Sequence, residues 1–478
     1  MLTSHKTRCI IPALVGVLAI VSGCETVSGE NFSAQQPVQN NPLLSGAIWR
    51  SDGYGLVIDS STTPLRAYEV TSRSCLEIEL DGAELADFYD RVSFSDDLTV
   101  VRFQDTFDDH TFQYRKLASL PQLCQTGSAE ADPLSVFDQF TAYFEEHYVF
   151  FDLYDVDWAR RTEDFRPQIN SETTESELFD LFVQMVDGIK DAHVEIVGEV
   201  DGERRKYDGD EGDLPRYINV NADLKGLDEE AATGAFYSGY LDTNISDRIL
   251  SREGAMSANK YLRYGMIDES VGYLAAFHVG PYATGDDATA VDQRAAIGSE
   301  MDKAIALFNE SSATAVIIDL SINFGGYDFV AREIARRFAP SPVTAYSKQA
   351  LDTQNRIEPT MYELTPADQA FVGPVFLLTS NATVSGGEIL TMSLRALPNV
   401  THYGEVTRGA LSDKLEKPLS NGWTITLSNE EYLDADQKLW EGKGIPPDNP
   451  LVVFESEDPL ASHLQAVETL ANVAIRNR

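Results

Sequence analysis

Residues 374–405 read PVFLLTSNATVSGGEILTMSLRALPNVTHYGE, and this stretch decides the fold. The apolar run from Val375 to Leu378 is bounded by turn residues, which predicts a short buried strand. From about Glu388 the apolar residues recur at helical spacing, which predicts a helix. Ser385 and two glycines lie between the two elements, so the stretch predicts a strand-to-helix turn that carries a serine.

Two interpretations of Ser385 are open at this point. A serine at a sharp turn is held away from the backbone hydrogen-bond ladders, and the following glycines let a substrate carbonyl approach backbone N–H groups, as a nucleophile requires. Alternatively, Ser385 is an ordinary N-cap before a loose first turn of helix. Partner residues elsewhere in the chain must decide between them.

The surrounding sequence, residues 263–478, alternates strands and helices. The runs VGYLAAFHV (271–279) and AVIIDLS (315–321) predict buried strands, with a helix over 290–308 between them and another over 328–338. This alternation predicts an α/β domain with a largely parallel core sheet. Asn323, Gly325 and Gly326 form a second turn before a helix, where backbone N–H groups suit a developing negative charge.

Residues 132–192 have a helical period, and the pair Thr174 and Glu177 has the spacing of a capping box. The region ends in DGIKDAHVEIVGE, where His193 stands at a change from helix to strand. A serine nucleophile needs a base with a pKa near neutrality, and a histidine supplies one. His278 and His402 are rival bases, although His278 lies in an apolar strand.

Two further regions contain no recognisable catalytic or ligand-binding motif. Residues 44–125 alternate apolar and polar residues between Gly, Ser and Asp turns, which predicts a small antiparallel β-domain. It is interpreted as architectural or as binding substrate, lipid or a partner. Residues 193–262 are interpreted as a loop-rich connecting segment. The whole chain is therefore a multidomain α+β protein.

The N-terminus has the three parts of a secretory signal. Lys6 and Arg8 precede an apolar run from Ile10 to Val21, and small residues precede Cys24. The sequence Val-Ser-Gly-Cys resembles the lipobox of bacterial lipoproteins, which predicts a signal peptide over 1–23, lipidation of Cys24 and a polar tether over 24–43. We therefore expect an exported protein, lipid-anchored to the cell envelope, at the periplasmic side of the outer membrane.

Export leaves Cys75 and Cys124 as an even pair in an oxidising compartment, which predicts a disulfide worth about 4 kcal/mol in the chain-entropy model. Two separate buried thiols are the alternative. The chain carries 76 acidic against 37 basic residues. Such a charge repels nucleic acid and anionic membrane surfaces, so we expect neither as a partner beyond the lipid anchor.

Several motifs in order resemble the C-terminal processing, or tail-specific, serine peptidase family. They are DLSINFGG (319–326), TSNATVSGGE (379–388), GEVTRGA (404–410), the strand after NGW (421–423) and GIPPD (444–448), with KDAHV (190–194) upstream. The resemblance implies a ClpP/crotonase-like α/β peptidase domain, a peptide or protein substrate, and no cofactor or metal. The oligomeric state is not indicated. Motifs of α/β-hydrolases (G-x-S-x-G) and zinc peptidases (H-E-x-x-H) are missing from the sequence.

The branch of the family follows from one position. A lysine serves as base in the dyad branch, but Ala410 occupies that place here. The chain therefore resembles the Tricorn-core branch, which implies Ser385 as nucleophile, His193 as general base and Glu441 as the glutamate of the site. In that branch a serine beside the histidine relays to the glutamate, and here Ala192 stands there. Glu441 would then orient His193 directly, act through water, or bind the substrate's amino end.

The implied reaction is hydrolysis of peptide bonds through an acyl-enzyme on Ser385. The resemblance implies an oxyanion hole made by the N–H group of Gly386 with that of Gly325 or Gly326. The alternative is a catalytically inactive, lipid-anchored protein that binds a peptide or hydrophobic ligand on the same scaffold.

Overall fold

The computed structural model describes residues 31–107, 110–127, 129–285, 288–353 and 357–476. The predicted signal peptide and the predicted lipidation site Cys24 lie outside these ranges. The protein is a multidomain α+β chain, as predicted. No helix among the described residues is both long and apolar enough to cross a membrane.

The N-terminal region is one antiparallel sheet of eight strands. They are β1 (Gln36–Pro37), β2 (Ile48–Ser51), β3 (Leu56–Asp59), β4 (Arg66–Val70), β5 (Cys75–Ile78), β6 (Tyr89–Phe94), β7 (Val100–Asp105) and β8 (Thr111–Leu117), with the short helices α1 (Leu85–Phe88) and α2 (Gln122–Gln125). Their order in the sheet is β1-β6-β7-β8-β2-β3-β4-β5. The alternating pattern of the sequence located this sheet correctly.

The described part of the predicted tether, residues 31–43, does not hang free. Gln36 and Pro37 of β1 pair with Val92 and Arg91 of β6 at the sheet edge. Val38 is buried in the core of the β-domain, and the guanidinium of Arg102 lies 3.8 Å from the centre of the Phe32 ring. Burying these apolar groups outweighs the polar composition of the segment, so the expectation of a tether is wrong for this part.

Cys75 and Cys124 form a disulfide, as predicted, with their Cα atoms 5.2 Å apart. It fastens the last strand of the sheet, β5, to the short helix α2 that leads out of the domain. The bond closes the β-domain immediately before the helical region.

The helical region has the predicted helices α3 (Pro133–His147), α4 (Trp158–Phe165) and α5 (Glu175–Val186), and Thr174 and Glu177 form the capping box. The following segment is far more regular than the expected loops. It contains β9 (Glu195–Val200), β10 (Glu203–Asp208), α6 (Leu214–Lys225), α7 (Glu229–Ser238), a π-helix (Gly239–Ile249), β11 (Ala255–Met256) and β12 (Leu262–Met266). Its helices are only weakly periodic and pack on the later sheet, so tertiary contacts rather than local pattern stabilise them.

The C-terminal region is the predicted α/β domain. Its elements are β13 (Val271–Ala276), α8 (Ala290–Glu310), β14 (Ala315–Asp319), α9 (Asp328–Ala335), β15 (Val343–Ala350), β16 (Thr360–Leu364), β17 (Val375–Thr379), α10 (Gly386–Arg395), β18 (Val400–Gly404), β19 (Lys414–Pro418), β20 (Thr424–Ser428), β21 (Glu430–Asp434), β22 (Asn449–Pro450) and α11 (Pro459–Arg476). The strands β13, β14, β17, β18 and β22 run parallel, and β12 and β11 extend the sheet antiparallel.

Both faces of the parallel sheet are covered. Side chains of Val316 and Ile318 enter a core with α8, α9 and α10, whereas Ile317 between them enters a second core with α7 and α11. Because successive strand residues point to opposite faces, an uninterrupted apolar run such as AVIID is what a sheet covered on both sides requires.

A second sheet joins distant parts of the chain. Its strand order is β10-β9-β20-β19, and Thr424 to Thr426 pair antiparallel with Val197 to Glu195. The segment that follows His193 is therefore held by a strand more than two hundred residues later. This pairing carries the predicted base to the C-terminal region.

Candidate active site

The turn at Ser385 has unusual backbone geometry. Ser385 has φ 57° and ψ −128°, directly before α10. Ser385 is the N-cap of α10 and forms a capping box with Glu388, as the second interpretation has it, but an ordinary N-cap residue occupies the β region and Ser385 does not. Such a conformation in a non-glycine residue costs on the order of 1–3 kcal/mol and persists only where surrounding contacts impose it.

Glu388 is the main source of those contacts, and sequence reasoning missed it. Its buried carboxylate accepts hydrogen bonds from the N–H of Ser385 (3.2 Å), the hydroxyl of Thr407 (2.6 Å), and the N–H groups of Gly409 (2.7 Å) and Ala410 (2.9 Å). Burial raises the pKa of Glu388, and these four donors oppose the rise. The Ser385 N–H also donates to the Ala410 carbonyl at 3.0 Å. The GEVTRGA loop is thereby fastened to the serine turn.

The glycine turn after β14 lies against Ser385. A β-carbon on Gly325 would stand 2.7 Å from Cβ of Ser385, and one on Gly386 would stand 2.7 Å from the carbonyl oxygen of Gly326. Gly325 and Gly326 have φ of 79° and 132°. Only glycine tolerates both the backbone angles and this close approach.

The three predicted oxyanion donors are not equivalent. The N–H of Gly325 donates to the side-chain oxygen of Asn323 at 2.9 Å. Within the described residues, the N–H groups of Gly326 and Gly386 have no protein hydrogen-bond partner. Two backbone amides therefore remain for an oxyanion beside Ser385.

His193 is held firmly by its backbone. Its N–H donates to Oδ1 of Asp191 at 2.8 Å, and its carbonyl accepts from the Thr426 hydroxyl at 2.6 Å. The side chain is buried, and its Nδ1 has no partner among the described residues. Burial lowers the pKa of His193, and the Asp191 carboxylate partly opposes this. The imidazole is therefore neutral at physiological pH, which is the state a general base requires.

Asp191 is a second residue that sequence reasoning missed. Its side chain is buried, and its Oδ2 accepts a hydrogen bond from the Tyr148 hydroxyl at 3.0 Å. Asp191 thus links Tyr148, at the C-terminal end of α3, to the backbone of His193. A carboxylate two residues before the histidine of KDAHV was the available signal.

Glu441 is fully buried. Its Oε2 accepts hydrogen bonds from the N–H groups of Leu411 (2.8 Å) and Ser412 (3.0 Å), while its Oε1 has no partner in the described chain. Burial raises the pKa of Glu441 well above its ordinary value, and the carboxylates of Asp191 and Glu388 raise it further. No hydrogen bond joins its carboxyl group to Nδ1 of His193, because both Oε1 and Nδ1 are unpartnered.

The loop 404–413 connects these residues. Ala410 accepts the N–H of Ser385, Leu411 and Ser412 bind Glu441, and the charges of Asp413 and Lys414 act on the pKa of His193. The ammonium group of Lys414 lies 2.7 Å from the carboxylate of Glu195 on the strand that follows His193. One loop therefore contacts the serine turn, the glutamate and the neighbourhood of the histidine.

The rival histidines are placed differently. His402 is fully buried, with Nε2 at 2.6 Å from the Thr379 hydroxyl and Nδ1 at 2.7 Å from the guanidinium of Arg395, so both ring nitrogens are engaged. Burial, with Arg395, lowers the pKa of His402 to about 3. His278 is half-buried among aromatic rings near Gly325. Both ring nitrogens of His402 are thus engaged, whereas His193 keeps a buried ring nitrogen without a partner among the described residues.

The sequence matches two families of known proteins. Residues 288–451 match the sequence model of Peptidase family S41, and residues 129–187 match the Tricorn protease C1 domain. This match identifies a serine-type peptidase. The S41 region includes the serine turn, the glycine turn and Glu441, whereas His193 lies between the two matched regions. No curated protein matches the chain.

Solved structures share the fold of this serine-type peptidase. A protein of Parabacteroides merdae ATCC 43184 described as a putative peptidase is 20% identical, with a TM-score of 0.55 over 72% of this chain and 97% of the other. The structure of mature CPAF complexed with lactacystin is 13% identical, with a TM-score of 0.50 over 73% of this chain and 99% of the other. At these identities the likeness shows the fold alone.

Proposed function

We propose that this serine-type peptidase is an endopeptidase or carboxyl-terminal processing peptidase that acts through an acyl-enzyme on Ser385, with His193 as general base. The observation that carries the proposal is the strained serine turn, packed against two unpartnered backbone amides and joined by one loop to Glu441. Strain of this kind concentrates at functional sites because the surrounding structure must impose it.

The reaction starts with attack of Ser385 Oγ on the scissile carbonyl, while His193 accepts the hydroxyl proton and later gives it to the leaving amine. The N–H groups of Gly326 and Gly386 hold the oxyanion. Loss of one such donor costs typically about 3 kcal/mol of barrier. Water then attacks the ester, His193 accepts its proton, and Ser385 is released.

The Ser-His-Glu branch of the site takes a modified form in this proposal. Burial raises the pKa of Glu441 well above its ordinary value, whereas the Asp191 carboxylate is the group that most opposes the lowering of the His193 pKa, so this proposal assigns stabilisation of the imidazolium to Asp191. Glu441 holds Leu411 and Ser412 in place. Oε1 of Glu441 and Nδ1 of His193 are two buried polar atoms, each without a partner among the described residues.

A fluorophosphonate probe tests the nucleophile. We expect labelling of the wild type and none of Ser385→Ala. The matched control is Ser393→Ala on the same helix, because the Ser393 hydroxyl is buried and has no partner. Equal labelling of all three proteins would refute Ser385 as the nucleophile. Tight peptide binding without any labelling would favour the inactive binding protein.

The base is tested by the pH dependence of kcat/KM. Since burial lowers the pKa of His193, activity should rise through a limb whose midpoint lies below the ordinary histidine value of about 6.5. A limb with a midpoint above 7 would contradict a buried, neutral base.

We also propose that the mature chain is a lipoprotein anchored through Cys24 on the periplasmic side of the outer membrane. The lipobox-like sequence supports this, and the Cys75–Cys124 disulfide is consistent with an oxidising compartment. The proposed substrate is a peptide or protein, with no nucleic acid partner. Incorporation of labelled fatty acid should be lost in Cys24→Ala, and its persistence would refute the anchor.

A further inference from the structure

Five half-buried aromatic rings form an aromatic patch at the carboxyl end of β13 and β14. Neighbouring ring centres lie 4.5–6.0 Å apart. The members are Tyr237, Tyr261, Phe277, His278 and Phe324. Elsewhere in the same domain large aromatic side chains such as Tyr273 are fully buried, so this group leaves apolar ring surface partly in water.

The patch borders the serine turn through the backbone. Phe324 directly precedes Gly325, whose β-carbon position lies 2.7 Å from Cβ of Ser385. The N–H of Phe324 donates to the carbonyl of Phe277 at 3.1 Å, which fixes one side of the patch to the other. The backbone that carries two of the rings is therefore next to the serine turn, where a scissile carbonyl would bind.

A second series of contacts, made by Val279, also reaches the serine turn. The N–H of Val279 donates to the Gly325 carbonyl at 3.0 Å. The Val279 side chain lies 2.7 Å from the β-carbon position of Gly386. Residues 277–279 thus run from the aromatic patch to the proposed oxyanion donor, with no intervening segment.

The patch is uncharged in a chain with 76 acidic residues. Burial alone raises the pKa of Tyr237, and burial lowers the pKa of His278, partly opposed by a hydrogen bond to the backbone of Gly325. Among the described residues, no charged side chain contributes to either shift. His278 is therefore a neutral ring near pH 7, and the surface suits an apolar group rather than a charged one.

We infer that the aromatic patch is a substrate-binding subsite that takes a large apolar side chain, aromatic or branched aliphatic, from the residue next to the scissile bond. Covering the exposed ring surface with such a side chain is favourable because it removes apolar area from water on both partners. The inference rests on the proposed function, since it places the substrate by its distance from Ser385.

The competing explanation is that the rings only complete the core between the parallel sheet and α7, because three of them also pack against that core. A structural role and a subsite differ in one respect. A structural substitution lowers the rate for every substrate, whereas a subsite substitution lowers it for substrates with a large apolar residue.

The test uses peptides that are identical except for Phe, Leu, Ala or Asp at the position before or after the cleaved bond. For the wild type, kcat/KM should be greatest with Phe or Leu at one of these positions. In Tyr237→Ala the ratio of Phe to Ala substrates should fall by roughly ten-fold, the scale of lost apolar contacts in a pocket. Tyr237→Phe keeps the ring and should keep the ratio.

The matched control is Tyr403→Ala. Tyr403 is half-buried against the same core and contacts the ring of Phe376, but it lies on β18, beyond the nucleophile strand. Its variant should keep the wild-type ratio within about two-fold. If Tyr237→Ala does not fold, Tyr261→Leu replaces it, with the same expected fall.

An unchanged Phe-to-Ala ratio in the folded variant, or a wild type that prefers Ala or Asp, would overturn the subsite. Fluorophosphonate labelling of Ser385 is run on the same proteins, because it reports the nucleophile independently of peptide side chains. Labelling with an unchanged ratio overturns only the subsite, whereas labelling of Ser385→Ala equal to wild type overturns the proposed function.

Discussion

Among the described residues, two sets of serine, histidine and carboxylate side chains invite comparison: the buried network of Asp319, Ser321 and His463, and the candidate site residues Ser385, His193 and Glu441. Only the second set has buried polar atoms without a hydrogen-bond partner. In the first, Asp319 accepts from the Ser321 hydroxyl (2.5 Å), the Tyr273 hydroxyl (2.6 Å) and Nε2 of His463 (2.9 Å). In the second, His193 keeps a free Nδ1 and Glu441 a free Oε1. Residue composition alone would not separate the two groups.

The difference indicates their roles. In the first group every strong donor is used within the protein, both Asp319 and His463 are fully buried, and the Ser321 hydroxyl points to the carboxylate rather than to the histidine. Such a closed network stabilises the end of β14 against α11. The second set keeps unpartnered buried polar atoms at His193 and Glu441, and Ser385 has strained backbone angles, which is the spare capacity that the proposed function requires.

The largest expected effect is that of His193→Ala. Loss of the base should reduce kcat for peptide cleavage by about six orders of magnitude, the scale found when the histidine of a serine-protease triad is removed. The thermal unfolding midpoint should change little, because the His193 ring has no hydrogen bond at Nδ1 to lose. If the variant kept the neutral limb of the pH–rate profile, the base would have to be another residue.

Next in size is His463→Ala in the closed group. Removing His463 takes one of three donors from the buried Asp319 carboxylate, which should lower the free energy of unfolding by roughly 1–3 kcal/mol in urea titrations. His463→Gln keeps a donor and serves as control. An alanine variant that is as stable as the wild type but inactive would reverse the two roles.

The same variant has a predicted pH signature. Burial would raise the pKa of Asp319, but His463 and the hydroxyl groups hold it below its ordinary value. A depressed pKa contributes stability above the unfolded value of about 4, and this is lost as the pH falls below it. The loss on acidification from pH 7 to 3.5 should be smaller in His463→Ala than in the wild type.

Glu441→Gln should have an effect of the opposite sign. A raised pKa means that the folded protein binds a proton which the unfolded chain releases, so wild-type stability falls as the pH rises above about 4.3, by on the order of 1 kcal/mol per pH unit until the folded pKa is reached. Glutamine mimics the neutral acid and should remove this fall. Urea unfolding of both proteins at several pH values measures it.

The peptidase activity of Glu441→Gln tests whether an ionised Glu441 is needed for catalysis. If the side chain is neutral in the active protein, Glu441→Gln should retain activity within about ten-fold of wild type. A loss comparable to that of His193→Ala would show that an ionised Glu441 is required, and the proposed role of Asp191 would be wrong.

The smallest expected effect is that of Tyr148→Phe. It removes the hydroxyl that donates to Asp191 and should cost about 1 kcal/mol of stability, the usual value of one hydrogen bond. Because the His193 N–H still donates to Asp191, kcat should fall only a few-fold. A fall of several orders of magnitude would assign Asp191 and Tyr148 a larger part in catalysis.

Local pattern predicted much of this architecture. The sequence predicted the β-domain, the helices of 132–192, the parallel strands and the disulfide pair. These features are predictable because alternation and helical period are properties of short stretches, and the cysteine count is a property of the whole composition. The sequence also predicted the serine and glycine turns, because only glycine fits the close backbone approach at these turns.

The remaining features depend on contacts between distant segments. Pairing of β20 with β9 brings the strand after NGW to His193. Neither stretch contains a sequence signal that predicts its pairing with the other. The four donors on Glu388 come from a turn and a loop about twenty residues apart. The regular structure of 195–249 follows from packing on a sheet made later in the chain.

The pairing of β9 with β20 also sets the order in which the site matures. A nascent chain that has emerged only to residue 420 already contains both Ser385 and His193, but it lacks the strand whose Thr426 holds the histidine, and it lacks Glu441. Hydrolytic capacity should therefore arise last during synthesis. Ribosome-bound chains that stop before β20 should not react with a fluorophosphonate, so the cell is protected from the enzyme while it is being made.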